Sequence, residues 1–246
     1  MLQSVFEQEK KYYKPVILNP NTLAEIAMAP ETWQEILLFH HELVNDDYTG
    51  YLDAYYRECV RRFGRHWRYM DIVNVLYAAV KTLKPRNYLE IGVRRGRTVC
   101  TAARACPDME IVAFDMWIQD YAGMENPGPD FVRHELTKHR FQGEVTFIDG
   151  DSSVTVPEFF KNHPEKTYDI ITVDGDHSEE GALRDLDNVI PYLSEGGILI
   201  FDDIAHPGHP YLNRVWVDLL LRYPFLSGFE FREIGYGVGF AIRNSI

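Results

Sequence analysis

Cysteine is scarce in this chain: Cys59, Cys100 and Cys106 are the only three in 246 residues. They are odd in number and form no Cys-x-x-Cys pair, which argues against a disulfide scaffold or a cysteine-built zinc site and suits a reducing cytoplasmic setting. Positive charge is short as well. With 25 Lys+Arg against 37 Asp+Glu the formal net charge is -12, a sign that disfavours phosphate-tracking surfaces, so no nucleic-acid partner is expected. No apolar run approaches the roughly 20 residues of a spanning helix, and the opening MLQSVFEQEKKYYK is charged with no apolar signal core, so neither a membrane partner nor export is expected. Internal repeats and low-complexity tracts are missing. So is G-x-G-x-x-G, the turn with which dinucleotide enzymes set a pyrophosphate on a helix N-terminus.

What is present changes texture near residue 85. Before it, ETWQEILLFHHELV and MDIVNVLYAAVKTL repeat apolar residues every three to four positions, the mark of amphipathic helices. After Pro85 come the short apolar runs NYLEIGV, EIVAFDM, VTFID, YDIITVD and GGILIFD, uniformly apolar as in strands covered on both faces. Between them RTVCTAARAC, FVRHELTKHRF, VTVPEFFKNH and EEGALRDLDNVIPYL read as crossover helices, and YLNRVWVDLLLRY follows the fifth strand. The chain closes with GFEFREI, a Gly235-Tyr236-Gly237 turn and VGFAIR, which reads as a hairpin. The expectation is an α/β protein: a Rossmann-like, mostly parallel sheet with helices on both faces over 70–246, preceded by a helical extension over 1–69.

Ligands of such sheets lie beyond the carboxyl ends of the strands. The first strand ends Glu90-Ile91-Gly92-Val93-Arg94-Arg95-Gly96-Arg97-Thr98, where Gly92 and Gly96 let a ligand lie close to the backbone. Asp115 ends the second strand, where a carboxylate can accept both ribose hydroxyls of a nucleoside. Turn chemistry and helix capping are the competing readings of these residues. Glu90, Asp115, Asp149, Asp151 and Asp174 would surround the ligand with negative charge, favouring a sulfonium cation over a pyrophosphate. Arg94, Arg95 and Arg97 read as solvated helix-start side chains, with phosphate binding as the alternative use.

The run YLEIGVRRGRT, the Asp115 strand end, FIDGDSS, and YDIITVDGDH followed by LSEGGILIFDD resemble successive motifs of class I S-adenosylmethionine-dependent methyltransferases. Within that class the likeness is to metal-dependent O-methyltransferases of the macrolide-sugar and catechol types. The resemblance, over about 70–246, implies a seven-stranded sheet with an antiparallel last strand. It implies S-adenosylmethionine as cofactor, with Glu90, Gly92, Gly96 and Thr98 in the first motif, Asp115 on the ribose, and Asp151 with Ser152 beside the adenine. Asp174 also falls in the cofactor set. If the fourth and fifth strands are neighbours, as in that fold, Asp174, Asp202 and Asp203 form one all-oxygen cluster suited to Mg²⁺. An Asx-turn or a cap for the following helix is the competing reading of these aspartates.

His177, three residues past Asp174, matches the candidate base of the sugar enzymes, where the catechol type has lysine; a neutral imidazole can take the hydroxyl proton. His206 and His209, in DDIAHPGHP, rank below it because that proline-rich segment reads as a rigid turn. WIQDYAGMENPGPD, Trp117 to Asp130, reads as a covering loop. The aromatics Trp33, Tyr48, Tyr51, Tyr55, Tyr56 and Trp67 suit core packing, a subunit interface in a homo-oligomer, or stacking on a sugar. The function expected is Mg²⁺-dependent O-methylation of a small hydroxylated acceptor, with a sugar as the analogy-based choice. The alternatives are metal-independent transfer to nitrogen or another oxygen, a non-catalytic nucleoside-binding module, and an NAD-linked oxidoreductase.

Overall fold

The computed structural model describes residues 16–120 and 123–245; the charged opening stretch and two positions of the covering loop lie outside them. Four helices come first: α1 (Pro20–Ala27), α2 (Pro30–His40), α3 (Asp47–Phe63) and α4 (Ile72–Leu83). Their starts follow local chemistry. Pro20 and Pro30 occupy the first turns of α1 and α2, where the missing N–H costs nothing. Asp46 and Asp71 begin α3 and α4 with reciprocal capping boxes through Thr49 and Asn74. Lys84 ends α4 in the left-handed conformation, just before Pro85.

The alternating half follows: β1 (Asn87–Ile91), α5 (Arg97–Ala105), β2 (Glu110–Asp115), α6 (Pro129–Lys138), β3 (Val145–Asp149), α7 (Ser152–Asn162), β4 (Tyr168–Val173), α8 (Glu179–Val189), β5 (Leu193–Asp202), α9 (Leu212–Arg222), β6 (Leu226–Phe231) and β7 (Val238–Arg243). The strands form one sheet in the order β3-β2-β1-β4-β5-β7-β6. β1 to β5 pair in parallel, and β7 runs antiparallel to both β5 and β6, as the terminal hairpin implied. One boundary differs from the sequence reading. The helical pattern EEGALRDLDNVIPYL stops at Val189, and Ile190–Tyr192 tighten into a 3₁₀ turn because Pro191 cannot extend an α-helix. β5 therefore begins at Leu193, ahead of the Gly196-Gly197 pair.

Side-chain alternation divides the core into two layers. Tyr88, Ile111, Ala113, Ile170, Ile198, Ile200 and Phe240 face α4, α5 and the N-terminal helices. Leu89, Ile91, Val112, Phe114, Ile171, Val173, Leu199 and Phe201 face α7, α8 and α9. Both faces of the central strands β1, β2 and β4 are covered, which is why these strands carry no polar alternation, while the edge strand β6 alternates buried and exposed positions. The N-terminal helices share the first layer: Leu23, Trp33, Leu37 and Tyr56 join the cluster that contains the sheet residues. Trp33, Tyr56, Trp67 and Tyr69 pack against one another there, with Trp67 and Tyr69 stacked at 5.1 Å, so these aromatics are core. Tyr51 stays 68% exposed. Among the described residues no helix is long and apolar enough to cross a membrane.

Candidate active site

Parallel register carries the strand ends to one edge: Ile91 pairs with Val173, Val173 with Phe201, and Asp115 with Asp149. The chain leaves this edge in strained turns. Arg94, Trp117 and Asp203, each just past a strand, have positive φ without being glycine, a conformation that persists where surrounding contacts enforce it.

The turn after β1 is built around two carboxylates. Asp115 accepts hydrogen bonds from the backbone N–H of Val93 and Arg94 on Oδ2, at 2.7 and 2.8 Å. On Oδ1 it accepts from the Trp117 N–H at 2.5 Å and from Asn126 Nδ2 at 3.4 Å. Glu90 sits beneath the turn rather than on its surface. It is 1% exposed and accepts from the hydroxyls of Tyr88 and Thr98; burial, then the charges of Asp174 and Asp115, push its carboxyl up to about 8. Gly92 is required by packing: at φ +92, a Cβ there would lie 2.0 Å from the Asp174 carbonyl oxygen. A Cβ on Gly96, at φ +70, would strike Val132 at 2.4 Å. Asp151 caps α7 through the Ser153 N–H at 2.8 Å, with Ser152 as the first helical residue. Asp149 accepts from Trp117 Nε1 at 2.7 Å.

The three arginines of the turn are not solvated side chains. Arg94 pairs with Asp46 at 3.0 Å and lies over the Tyr48 ring. Arg95, 7% exposed, pairs with Glu125 and donates to the Val44 carbonyl at 3.0 Å. Arg97 pairs with Asp53 at 2.7 Å and meets His40 Nδ1 at 2.9 Å. Burial, then Arg97, lower His40 to about 4, so the imidazole is neutral and Asp53 is the counter-ion. The expectation fails because the N-terminal helices fold over the turn and bring Asp46 and Asp53 to its arginines.

At the β4 and β5 ends, the residues singled out from sequence converge. His177 Nε2 lies 3.1 Å from Asp174 Oδ1 and 3.8 Å from Asp203 Oδ2. Burial works to lower the His177 pKa, but the Asp174 hydrogen bond and the charges of Asp174, Asp203 and Asp176 outweigh it and raise the imidazole to about 9. Burial and Asp174 push Asp203 up to about 7; burial, Asp174 and Asp203 raise Asp202 well above the carboxylate range. Asp71, capping α4, adds to both while accepting from Tyr56 and Tyr69 hydroxyls at 2.6 and 3.3 Å. His209 stands beside His177 with ring centroids 5.3 Å apart. His206 Nδ1 accepts from the Gly208 N–H at 3.0 Å and closes the turn expected there. Tyr211 ties the segment down by donating to the His177 carbonyl at 2.8 Å.

This edge, on this strand order, can hold a nucleoside at the β1–β2 turns and a hydroxyl at the β4–β5 acids. Residues 89–204 match the family model described as "Methyltransferase domain". Over that stretch the chain is similar to methyltransferase domains. It is 30% identical over 144 residues to tapetum-specific methyltransferase 1 of Arabidopsis thaliana, a stretch covering 58% of this chain and 53% of that protein; the chain thus spans about half the length of the curated relative it matches. Among solved structures, CalS11, described as a TDP-rhamnose 3'-O-methyltransferase, superimposes with a TM-score of 0.54 at 21% identity, over 86% of this chain and 93% of that one. TomG of Streptomyces achromogenes, involved in tomaymycin synthesis and solved with S-adenosylmethionine, gives 0.56 at 16% identity, over 88% and 99%.

Asp174, Asp202 and Asp203 offer only oxygen donors, whose mutual repulsion a divalent cation would offset. His177 stands among these carboxylates as their counter-ion, and among the described residues no group of three or more His, Cys, Asp or Glu is arranged to hold a metal ion. Sequence reasoning missed three features of the site. Asp71 was signalled by the Asp-x-x-Asn capping box ahead of α4. The arginine partners Asp46, Asp53 and Glu125 carried no local signal, since each pairing spans at least 30 positions. Asn126 had only its place in the covering loop.

Proposed function

We propose that the chain transfers the methyl group of S-adenosylmethionine to a hydroxyl of a small acceptor, with a sugar as the acceptor class suggested by CalS11, and that the reaction is Mg²⁺-dependent and cytoplasmic. The observation that carries this reading is the meeting of His177 with Asp174 and Asp203 on the edge that also holds the Asp115 turn. Asp115 and the glycine turn bind the nucleoside end, and Asp151 with Ser152 flank the adenine side. Asp174, Asp202 and Asp203 would hold Mg²⁺, which when bound supplies charge that offsets these acids and lowers the pKa of a hydroxyl beside it. His177 holds a proton at Nε2 in the bare acid cluster; once that field is offset, the imidazole falls back toward neutrality and can take the acceptor proton. The hydroxyl oxygen, its proton passed to His177, then attacks the sulfonium methyl in line, at about 3 to 3.5 Å, while the methyl–sulfur bond breaks and its electron pair leaves with S-adenosylhomocysteine. Asp202 and Asp203 end β5, two strands over from β1 and its donor turn, and the acceptor would lie on that side of the donor.

A second reading, metal-independent transfer, is favoured by one observation: His177 already provides a cation between Asp174 and Asp203. One experiment separates the two. Labelled methyl transfer from S-adenosylmethionine is measured over a panel of hydroxylated acceptors that includes sugars, with and without EDTA. The proposal expects transfer to an oxygen, abolished by EDTA and restored by Mg²⁺. Undiminished transfer in excess EDTA would replace it with the metal-independent reading, and absence of transfer together with tight NAD binding would overturn the donor assignment.

A further inference from the structure

Asp115 is full. Its four hydrogen bonds, two on each oxygen, occupy the roughly four lone-pair sites of a carboxylate. Three come from backbone N–H groups at 2.5 to 2.8 Å that define the turns after β1 and β2. A ribose diol brings two further O–H donors, so it finds no free acceptor on this carboxylate. The fourth bond is different. Asn126 Nδ2 reaches Oδ1 at 3.4 Å, near the limit at which a contact counts as a hydrogen bond.

Asn126 is itself out of place for a loop residue. It is 3% exposed, and its Oδ1 has no hydrogen-bond partner, although buried amide oxygens are almost always satisfied. Its position is fixed from both sides. Gln119 Nε2 donates to the Asn126 carbonyl at 2.9 Å, and the preceding residue, Glu125, is paired with Arg95 of the glycine turn. A buried acceptor without a donor therefore stands beside a carboxylate with no room for the donors expected there.

We propose that Asn126 is a cofactor-binding residue that completes the ribose site: one ribose hydroxyl displaces Asn126 Nδ2 from Asp115 Oδ1, and the other donates to Asn126 Oδ1. The freed Nδ2 then donates to a ribose hydroxyl oxygen, so the side-chain amide spans the diol and every polar atom of the pair is satisfied. The Asp115 bonds to Val93, Arg94 and Trp117 remain intact, and the turns need not open for the donor to enter. This inference rests on the donor assignment above.

The test titrates S-adenosylhomocysteine and its 2'-deoxy and 3'-deoxy analogues into wild type and Asn126→Ala, with the melting temperature of each apo protein measured in parallel. The inference expects Asn126→Ala to bind S-adenosylhomocysteine about 10-fold more weakly, the effect of one or two hydrogen bonds. It also expects the penalty for removing at least one hydroxyl to shrink in the variant. A residue that only braces the loop would lower the apo melting temperature and weaken all three ligands alike. Equal binding by variant and wild type, or equal deoxy penalties in both, overturns the inference while leaving the donor assignment standing. Failure of wild type to bind S-adenosylhomocysteine at all would overturn the donor assignment, and this inference with it.

Discussion

Glu90 makes the stability of the fold depend on pH in a direction that can be worked out. Its carboxyl is sealed under the glycine turn and titrates near 8 rather than at its ordinary 4.5. Between those values the folded chain keeps a proton that the unfolded chain releases, so stability falls as pH rises. The contribution is fully present below the unfolded value and fully lost above about 8. The slope is about 1.4 kcal/mol per pH unit, so from about pH 5.5 to pH 8 it accumulates to about 3 kcal/mol. Asp185, raised to about 6 by burial, and Asp203, raised to about 7, add to the same trend. A comparison with Glu90→Gln isolates the Glu90 share, because the amide is a neutral, nearly isosteric stand-in for the protonated acid. The Tyr88 and Thr98 hydroxyls can reorient around it, and Tyr88 keeps Thr172 Oγ1 at 2.7 Å. Urea unfolding at about pH 5.5 and about pH 8.5 should show wild type losing about 3 kcal/mol more than the variant across that window. Parallel pH dependences in the two proteins would refute the burial argument.

Three further outcomes follow from the same geometry. Asp53→Ala leaves the Arg97 guanidinium, 13% exposed, without its carboxylate; it should cost about 3 to 5 kcal/mol and roughly 10 °C of melting temperature, most of it regained by adding Arg97→Met, and a loss under about 2 °C contradicts the reading. Gly92→Ala, whose Cβ meets the Asp174 carbonyl at 2.0 Å, should destabilise the fold by at least about 3 kcal/mol. Gly196→Ala, at φ +75 with no neighbour within 4 Å, should cost only about 1 to 2 kcal/mol, and similar losses at both sites would show that packing at Gly92 is not limiting. By NMR the His177 imidazole should titrate near 9 in EDTA and move down on adding Mg²⁺, with His177→Gln lowering turnover by about 10² to 10⁴ at unchanged donor affinity; a titration indifferent to Mg²⁺ argues against a cation on these carboxylates.

The sheet was legible because its information is local. Apolar runs bounded by turn residues mark β1 to β5, and Gly235-Tyr236-Gly237 marks the terminal hairpin. The strand-end carboxylates were legible for the same reason, since parallel strands aligned at their carboxyl ends bring Asp115, Asp174, Asp202 and Asp203 to one edge whatever the loops do. Pairings across the chain were not legible. Arg97 and Asp53 are 44 positions apart and Arg94 and Asp46 are 48 apart, and no pattern within either segment points to the other. The glycines illustrate a subtler limit: positive φ at Gly92 and Gly96 was foreseeable from a strand-to-helix turn, but the atoms that forbid a side chain there, the Asp174 carbonyl and Val132, belong to β4's end and to α6. Asn126 gave no signal because its burial depends on contacts with Asp115, Gln119 and the neighbouring Glu125 pair.

The proposed function stands on the Asp115 turn receiving an S-adenosyl nucleoside. Calorimetric titration of the purified protein with S-adenosylhomocysteine and, separately, with NAD tests it most directly. Saturable binding of S-adenosylhomocysteine and no binding of NAD are expected, with a loss of about 2 to 4 kcal/mol in Asp115→Ala as ribose contacts and the order of the turn are removed together. Tight NAD binding with no response to S-adenosylhomocysteine would contradict it.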